Sequence, residues 1–246
     1  MSAIKTVERM KARVDELITG FPSYLEAFDA AHLFTDPSLY FYLKTLGIRA
    51  KYATAADALK DEEFFDGLYA TLTAWGMHRP GPLGAKLADL EVIKTSFRQQ
   101  AERIGDMQHL DCSTVEKAAL EELIDKLWAV MDGLRVGAGK TKIVSNSKAL
   151  HLLLPSLMPP IDRQYTVRFF YHHKTLNRGD EATFREIYPY FHQIATSCQQ
   201  PIQARLEARK GMDTCAMKVI DNAIVGYVLK HPPRTPSTSL SEDGGA

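Results

Sequence analysis

The hydrophobic residues at the start of the chain recur at intervals of three and four positions, as Ile4, Val7, Met10, Val14, Leu17 and Ile18. This spacing places them on one face of an amphipathic helix. The same period returns further along, for example at Phe64, Leu68, Leu72 and Trp75. Alternation with a period of two is scarce. The pattern therefore predicts an all-α fold, a compact multi-helix domain of about ten helices.

The length and composition indicate one globular domain over residues 1–231. The chain has 246 residues, of which 45% are hydrophobic, so it carries enough apolar mass for a substantial core. Residues 232–246 read PPRTPSTSLSEDGGA and are rich in Pro, Ser, Thr and Gly. Because such a segment cannot bury much apolar surface, it is predicted to be a disordered tail.

The N-terminal segment is charged and periodic, unlike a signal peptide, and no apolar run reaches the ~18 residues that a membrane span needs. We therefore expect no membrane partner and a cytoplasmic protein, or a nuclear one in a eukaryote. The three cysteines form no CxxC pair. This usage fits a reducing compartment and offers no metal framework.

The charges are balanced overall but not along the chain. Lys plus Arg number 30, and so do Asp plus Glu. Residues 133–179, which we call the basic block, contain eight Lys or Arg and one carboxylate, Asp162. The block predicts local contact with phosphates through Arg135, Lys140, Lys142, Arg163 and His151. The alternative is a solvated face whose charges pair with the acidic segment before it.

Within the block, GLRVGAGKTK at 133–142 lacks the spacing of a phosphate-binding P-loop, because Leu134 stands where the first glycine is required. No nucleotide triphosphate is therefore expected as a partner. A helix-hairpin-helix is a better fit, with Gly137 and Gly139 in the turn and the next helix holding one backbone phosphate. A plain helix-to-helix loop remains the alternative.

The stretch SKALHLLLPSLMPPID, residues 147–162, places Lys148 on an apolar helix that Pro155 ends. Pro159 and Pro160 enforce an extended approach to Asp162, which is predicted to cap the following helix. Desolvation would favour the neutral amine of Lys148, the form that acts as a nucleophile. Three structural alternatives remain open: a snorkelling surface lysine, a purely structural cap, and a core histidine at His151.

The spacing from Ser147-Lys148 through His151, Pro155 and Pro159 to Asp162 resembles the signature of bacterial proteins with an 8-oxoguanine DNA glycosylase fold. These are relatives of the helix-hairpin-helix DNA glycosylases. The loop with Trp75-Gly76, Gly81 and Gly84 is similar to a segment of the same group. The resemblance covers about a third of the chain.

This resemblance implies that a lysine attacks the sugar C1′ of a flipped-out nucleotide and that an aspartate stabilises the developing sugar cation. Carried over, Lys148 is the nucleophile and Asp162 the stabiliser. At the lysine-to-aspartate spacing of the better-known glycosylases the lysine would be Lys142, with Lys140 nearer the glycines. Base flipping also needs a wedge or an aromatic pocket, for which Trp75, Met77 and His78 are the candidates.

The function predicted from these residues is a base-excision glycosylase or lyase that acts on double-stranded DNA. No cofactor or metal is expected, since three cysteines cannot hold a [4Fe–4S] cluster of the kind found in some relatives. Two alternatives stand beside it. One is a non-enzymatic helical module that binds nucleic acid through the basic block, and the other is a helical interaction protein in which Lys148 and Asp162 are only structural.

Overall fold

The computed structural model describes residues 3–34, 36–78, 86–209 and 211–232. This part of the chain folds into thirteen α-helices and contains no named strand. The helices are α1 Ala3–Thr19, α2 Phe21–Ala31, α3 Asp36–Ala50, α4 Ala55–Ala58, α5 Glu62–Leu72, α6 Leu90–Gln99, α7 Ala101–Met107, α8 Leu120–Gly133, α9 Ile143–Leu153, α10 Arg168–Tyr171, α11 Asp180–Ser197, α12 Gln199–Ala208 and α13 Ala216–Lys230. The all-α class that the hydrophobic period predicted is confirmed.

Three shorter helical turns complete the architecture. Two are π-type, at Thr73–Met77 and Arg163–Val167, and one is a 3₁₀ turn at Lys117–Ala119. π-turns are rare and often occur at functional sites. Here both of them contribute to the wall of one cavity.

The core is organised around α13, in which every residue from Met217 to Val228 is buried. This helix packs against α1, α2, α10, α11 and α12 and against the turn at Arg163–Val167. Most of these residues are apolar and they occupy every side of the helix, so α13 lies in the interior, where each face can meet a neighbour. The buried apolar side chains of the described residues join into one cluster that extends from α1 to α13.

The approach between α2 and α13 depends on Gly226. A Cβ atom at this position would lie 1.8 Å from the carbonyl oxygen of Tyr24 on α2. Real side chains do not occupy such a distance, so the two backbones meet only because position 226 lacks a side chain. This contact brings the N-terminal half of the chain against the C-terminal helix.

Three further expectations from the sequence concern a membrane span, the cysteines and the segments rich in glycine and proline. None of their helices combines the length and the apolar character that crossing a bilayer requires. Cys112, Cys198 and Cys215 are buried free thiols. Gly81, Gly84 and positions 233–246, on which the sequence raised expectations, lie outside the described residues.

Candidate active site

Lys148 lies in the second turn of α9, a helix in which every residue except Val144 and Lys148 is buried. Ser147, Ala149, Leu150 and His151 are fully buried, while Lys148 itself is partly exposed. Its Nζ stands 5.7 Å from the centroid of the Trp75 ring, a distance at which a cation is attracted to the face of an indole. Among the described residues it has no hydrogen-bond or ion-pair partner. Its amine therefore remains available to a ligand.

Asp162 caps the π-turn at Arg163–Val167, as the sequence predicted. Its Oδ1 accepts the backbone N–H groups of Tyr165 at 2.7 Å and Thr166 at 3.3 Å. The Asp162 N–H donates in turn to the Thr166 hydroxyl at 3.2 Å. This reciprocal cap fixes the carboxylate and engages only one of its two oxygens among the described residues. The second oxygen is left for another partner.

Lys148 and Asp162 line the same cavity, which has a volume of about 500 Å³. We call it the central cavity. Trp75, Met77 and Tyr165 form part of its wall, and Lys218 and Asp221 of α13 line it as well. An amine, a carboxylate and aromatic surface thus meet in one concave site, which is the arrangement that defines a candidate active site.

The Trp75 wall is shaped by the π-turn at Thr73–Met77. Gly76 within it has a φ of 76°, in the left-handed region that favours glycine, and breaks the helical path. Trp75 also packs against Tyr42, with ring centroids 5.3 Å apart and the ring planes tilted by 41°. Two of the three predicted pocket residues, Trp75 and Met77, line the central cavity. His78 is exposed at the end of the turn and is not among the lining residues.

His151 does not belong to a nucleic-acid surface, and its assignment there is wrong. The residue is 0% exposed. Its Nδ1 donates to the Met158 carbonyl at 2.7 Å, and its Nε2 accepts from the Tyr42 hydroxyl at 2.9 Å. Burial lowers the pKa of His151 to about 3, so the imidazole is neutral. It is a satisfied core histidine that holds the segment after α9 in place.

The glycine segment also departs from its prediction. Nine residues, 134–142, separate α8 from α9, and neither Gly137 nor Gly139 has a positive φ, so the connection is not a tight hairpin. Instead it runs beside residues 86–88, with Ala88 N–H bound to Val136 at 2.9 Å and Ala138 N–H to Lys86 at 2.8 Å. The N-terminus of α9 is not open to a phosphate either. The Asp180 carboxylate accepts the N–H groups of Lys142 and Ile143 there.

The glycine segment nevertheless borders the site. Gly137, Gly139 and Lys140 line a second cavity of about 510 Å³, which shares Met77, Val144 and Arg163 with the central cavity. A third cavity of about 550 Å³ shares Lys140 and Arg163 with the second. Arg163 lines all three, and its guanidinium donates to the Thr141 hydroxyl at 3.1 Å. The three cavities thus lie side by side around Arg163, and we call this surface the groove.

The basic block divides into paired and unpaired cations. Lys142 forms an ion pair with Asp132 at 2.6 Å, and Arg178 forms one with Glu186 at 2.9 Å. For these two cations the alternative of a solvated face with paired charges fits. Lys140 and Arg163 have no carboxylate within ion-pair distance among the described residues. Arg135 is exposed at the end of α8, outside the three cavities. The pairing also removes Lys142 from the central cavity, whose walls hold Lys148 instead.

Sequence reasoning missed the floor of the central cavity. Lys218 and Asp221 are 1% and 6% exposed, and the Lys218 ammonium lies 2.5 Å from Asp221 Oδ2. A signal was present, because Lys218, Asp221 and Asn222 interrupt an otherwise apolar helix. Polar groups on a buried helix must find partners, which marks them as a network.

Comparisons of the chain with family models, curated proteins and solved structures found no match. The described residues also bring no three His, Cys, Asp or Glu side chains together in a way that could hold a metal ion. The functional argument therefore rests on the geometry of the central cavity and the groove beside it.

Proposed function

We propose that the protein is a DNA-directed base-excision enzyme, a glycosylase or lyase that acts on a base flipped out of the duplex. One observation carries the proposal: Lys148 and Asp162, fourteen positions apart, line a single cavity beneath the face of Trp75. A glycosylase-like arrangement of the helices is part of the same proposal, without the tight glycine hairpin that the sequence predicted at 137–139.

The proposed chemistry uses both groups at the sugar. After the Lys148 ammonium has given up a proton, its amine attacks C1′, the bond between C1′ and the base breaks, and the electrons of that bond leave with the base. Loss of a proton from nitrogen and opening of the sugar ring then give an iminium that links enzyme and DNA. The ionised carboxylate of Asp162 stabilises the positive charge that develops on the sugar, and its capping bonds hold it in place.

The groove beside the cavity supports a nucleic-acid substrate. Lys140 and Arg163 are exposed cations without carboxylate partners among the described residues, and both line cavities that share lining residues with the central one. Two such residues on the path of a strand would contact its phosphates and release counterions. A neutral protein can bind nucleic acid in this way, because the favourable charge is local.

Borohydride trapping tests the chemistry. Duplexes that carry a panel of damaged bases or an abasic site are incubated with the protein and reduced, which converts the iminium into a stable secondary amine. We expect a covalent adduct with the wild type and none with Lys148→Ala. Lys142→Ala, which removes the alternative lysine and lies outside the central cavity, should still form it.

A non-enzymatic nucleic-acid-binding module is the second candidate, favoured by the unpaired cations Lys140 and Arg163. In that case the trapping experiment yields no adduct, while DNA binding remains steeply dependent on salt and survives Lys148→Ala. An absence of both adduct and binding at physiological salt would leave only a helical interaction protein. The two measurements together separate the three functions.

A further inference from the structure

The floor of the central cavity holds a second amine and carboxylate that the proposed chemistry does not use. Lys218 donates to Asp221 Oδ2 at 2.5 Å and to Asn222 Oδ1 at 2.9 Å, and its Nζ lies 4.8 Å from the centroid of the Phe34 ring. Two hydrogen bonds and a ring face surround the ammonium. Lys218 is therefore committed to the protein and is not the reactive lysine.

A series of polar side chains, linked by hydrogen bonds and ion pairs, extends from this pair into the protein. Asn222 donates to Asp213 at 2.8 Å, Asp213 lies 2.6 Å from Arg205, and Arg205 binds Asp29 through two bonds of 2.8 Å. These contacts restrict the positions of Lys218 and Asn222, while Arg205 Nε and Asp213 Oδ2 lie within ion-pair distance but make no hydrogen bond. The Asp221 carboxylate is consequently rigid before any ligand arrives.

One of the two carboxylate oxygens of Asp221 accepts no hydrogen bond from the described residues. Lys218 occupies Oδ2, and no hydrogen bond reaches Oδ1 among the described residues. Asp221 lines the cavity, and Trp75, Tyr165 and Phe34 line it too. This oxygen keeps some exposure to the cavity, so it can accept a hydrogen bond from a ligand that brings an N–H group.

We propose that Asp221 is the recognition carboxylate of the central cavity and binds an N–H edge of a planar heterocycle that stacks against Trp75. The ligand class is a nucleobase with a ring N–H, such as the lactam of an oxopurine or a uracil. The inference rests on the proposed function in so far as the heterocycle is the base of a nucleotide whose sugar meets Lys148 and Asp162.

The electrostatics of the floor agree with this role. Burial raises the pKa of Asp221, and the charge of Lys218 opposes that rise and favours the carboxylate. The charges of Asp162 and Lys148 also act on the pKa of Asp221. Both pairs line the one cavity of about 500 Å³, so a single nucleoside could contact Asp221 with its base and Lys148 and Asp162 with its sugar.

Nucleosides that differ by one methyl group test the recognition directly. Inosine and 1-methylinosine, and uridine and 3-methyluridine, differ only in the ring N–H and are titrated against the full chain by NMR. We expect the wild type to bind inosine or uridine at least roughly tenfold more tightly than the methylated partner, the loss expected for one charge-assisted hydrogen bond. Lys218→Met/Asp221→Leu, which replaces the pair by apolar groups of similar volume, should abolish the preference.

Two single variants test the same preference if the double variant fails to fold. Asp221→Asn retains the shape of the side chain and one bond to Lys218, but its NH2 group then faces the cavity and cannot accept the ring N–H, so the preference should be lost. Asp213→Asn alters the same network behind the cavity wall and should keep the wild-type preference. Equal affinity of the wild type for both partners, no binding up to about 10 mM, or a preference that survives in the double variant would overturn the inference.

The outcome is separable from that of the proposed function. A preference for the ring N–H without a borohydride adduct would remove the enzyme and leave a base-recognition site. An adduct at Lys148 with no dependence on Asp221 would keep the enzyme and remove the recognition role.

Discussion

The hydroxyl of Ser147 accepts a hydrogen bond from the backbone N–H of Ile161 at 3.1 Å. Ser147 immediately precedes Lys148, and Ile161 immediately precedes Asp162. One buried bond thus ties the helix that carries the amine to the extended segment that carries the carboxylate. Pro159 and Pro160 are buried in the same segment and restrict its path, so the two reactive groups are brought to one cavity before any ligand binds.

Removal of this tie should weaken both the fold and the site. In Ser147→Ala the N–H of Ile161 loses its partner in the interior, which costs about 1–3 kcal/mol of unfolding free energy. We expect the yield of trapped adduct to fall as well, because the carboxylate is no longer held beside Lys148. Denaturant unfolding measures the first effect. Thr196→Ala, which removes an exposed hydroxyl bound to its own helix, is the control and should change stability by less than about 0.5 kcal/mol.

The two roles of Asp162 can be separated by its substitutions. Asparagine caps a helical turn about as well as aspartate, so Asp162→Asn should unfold close to the wild type, whereas Asp162→Ala should lose about 1 kcal/mol. Both variants should lose the trapped adduct, since neither carries a charge to stabilise the sugar cation. An Asp162→Asn protein that reacts normally would mean that Asp162 is only a structural cap.

Acid should destabilise the fold through His151. Its pKa in the folded protein is about 3, below the ordinary value of 6.5, so the unfolded chain binds a proton that the folded protein does not. The stability that follows is present above pH 6.5 and is lost as the pH falls towards 3. At pH 4 the loss is on the order of 3 kcal/mol. Unfolding titrations at pH 7, 5 and 4 measure it, and a His151→Gln variant with the same pH dependence would refute this assignment.

Gly226 should tolerate no side chain. In Gly226→Ala the new Cβ meets backbone of α2 at Tyr24, which cannot give way without separating α2 from α13. We expect a loss of several kcal/mol, of the size of other overpacked sites, about 3 kcal/mol or more. Gly47→Ala on α3 is the matched control, because a Cβ there meets nothing within 4 Å and should be neutral or stabilise by up to about 1 kcal/mol. Thermal melts of both variants measure these changes in stability, and a Gly226→Ala protein as stable as the wild type would contradict the prediction.

Salt dependence should identify the cations that touch a strand. Lys140→Ala and Arg163→Ala should each reduce the slope of log affinity against log salt by about one, since each removes a phosphate contact. Lys174→Ala removes a positive charge from the same basic block but outside the groove, and its slope should equal that of the wild type. Equal slopes in all three variants would show that the groove is not the path of the nucleic acid.

Much of this architecture could be predicted from the local pattern of hydrophobic residues and prolines in the sequence. The helical period of residues such as Val7, Met10 and Val14 predicted the all-α class, and the proline spacing predicted the cap at Asp162. Short helices such as α4 and α10 could not be predicted, because four residues are too few to show a helical period. The structure therefore has thirteen helices in its described part where about ten were expected.

The rest of the site depends on contacts that no local pattern contains. His151 and Lys142 looked like members of a basic surface, but Tyr42 and Met158 enclose the first and Asp132 pairs with the second. The capping of α9 by Asp180 joins residues almost forty positions apart. Lys218 and Asp221 reach the cavity only because α13 crosses the centre of the core.

The most direct measurement of the central claim is the position of the covalent bond itself. After borohydride reduction on damaged DNA, the protein is digested and the adduct is located by mass spectrometry. Reduction of the iminium should leave the sugar remnant on Nζ of Lys148. A remnant on Lys140, Lys142 or the N-terminal amine, or the absence of any adduct with every duplex, would contradict the account.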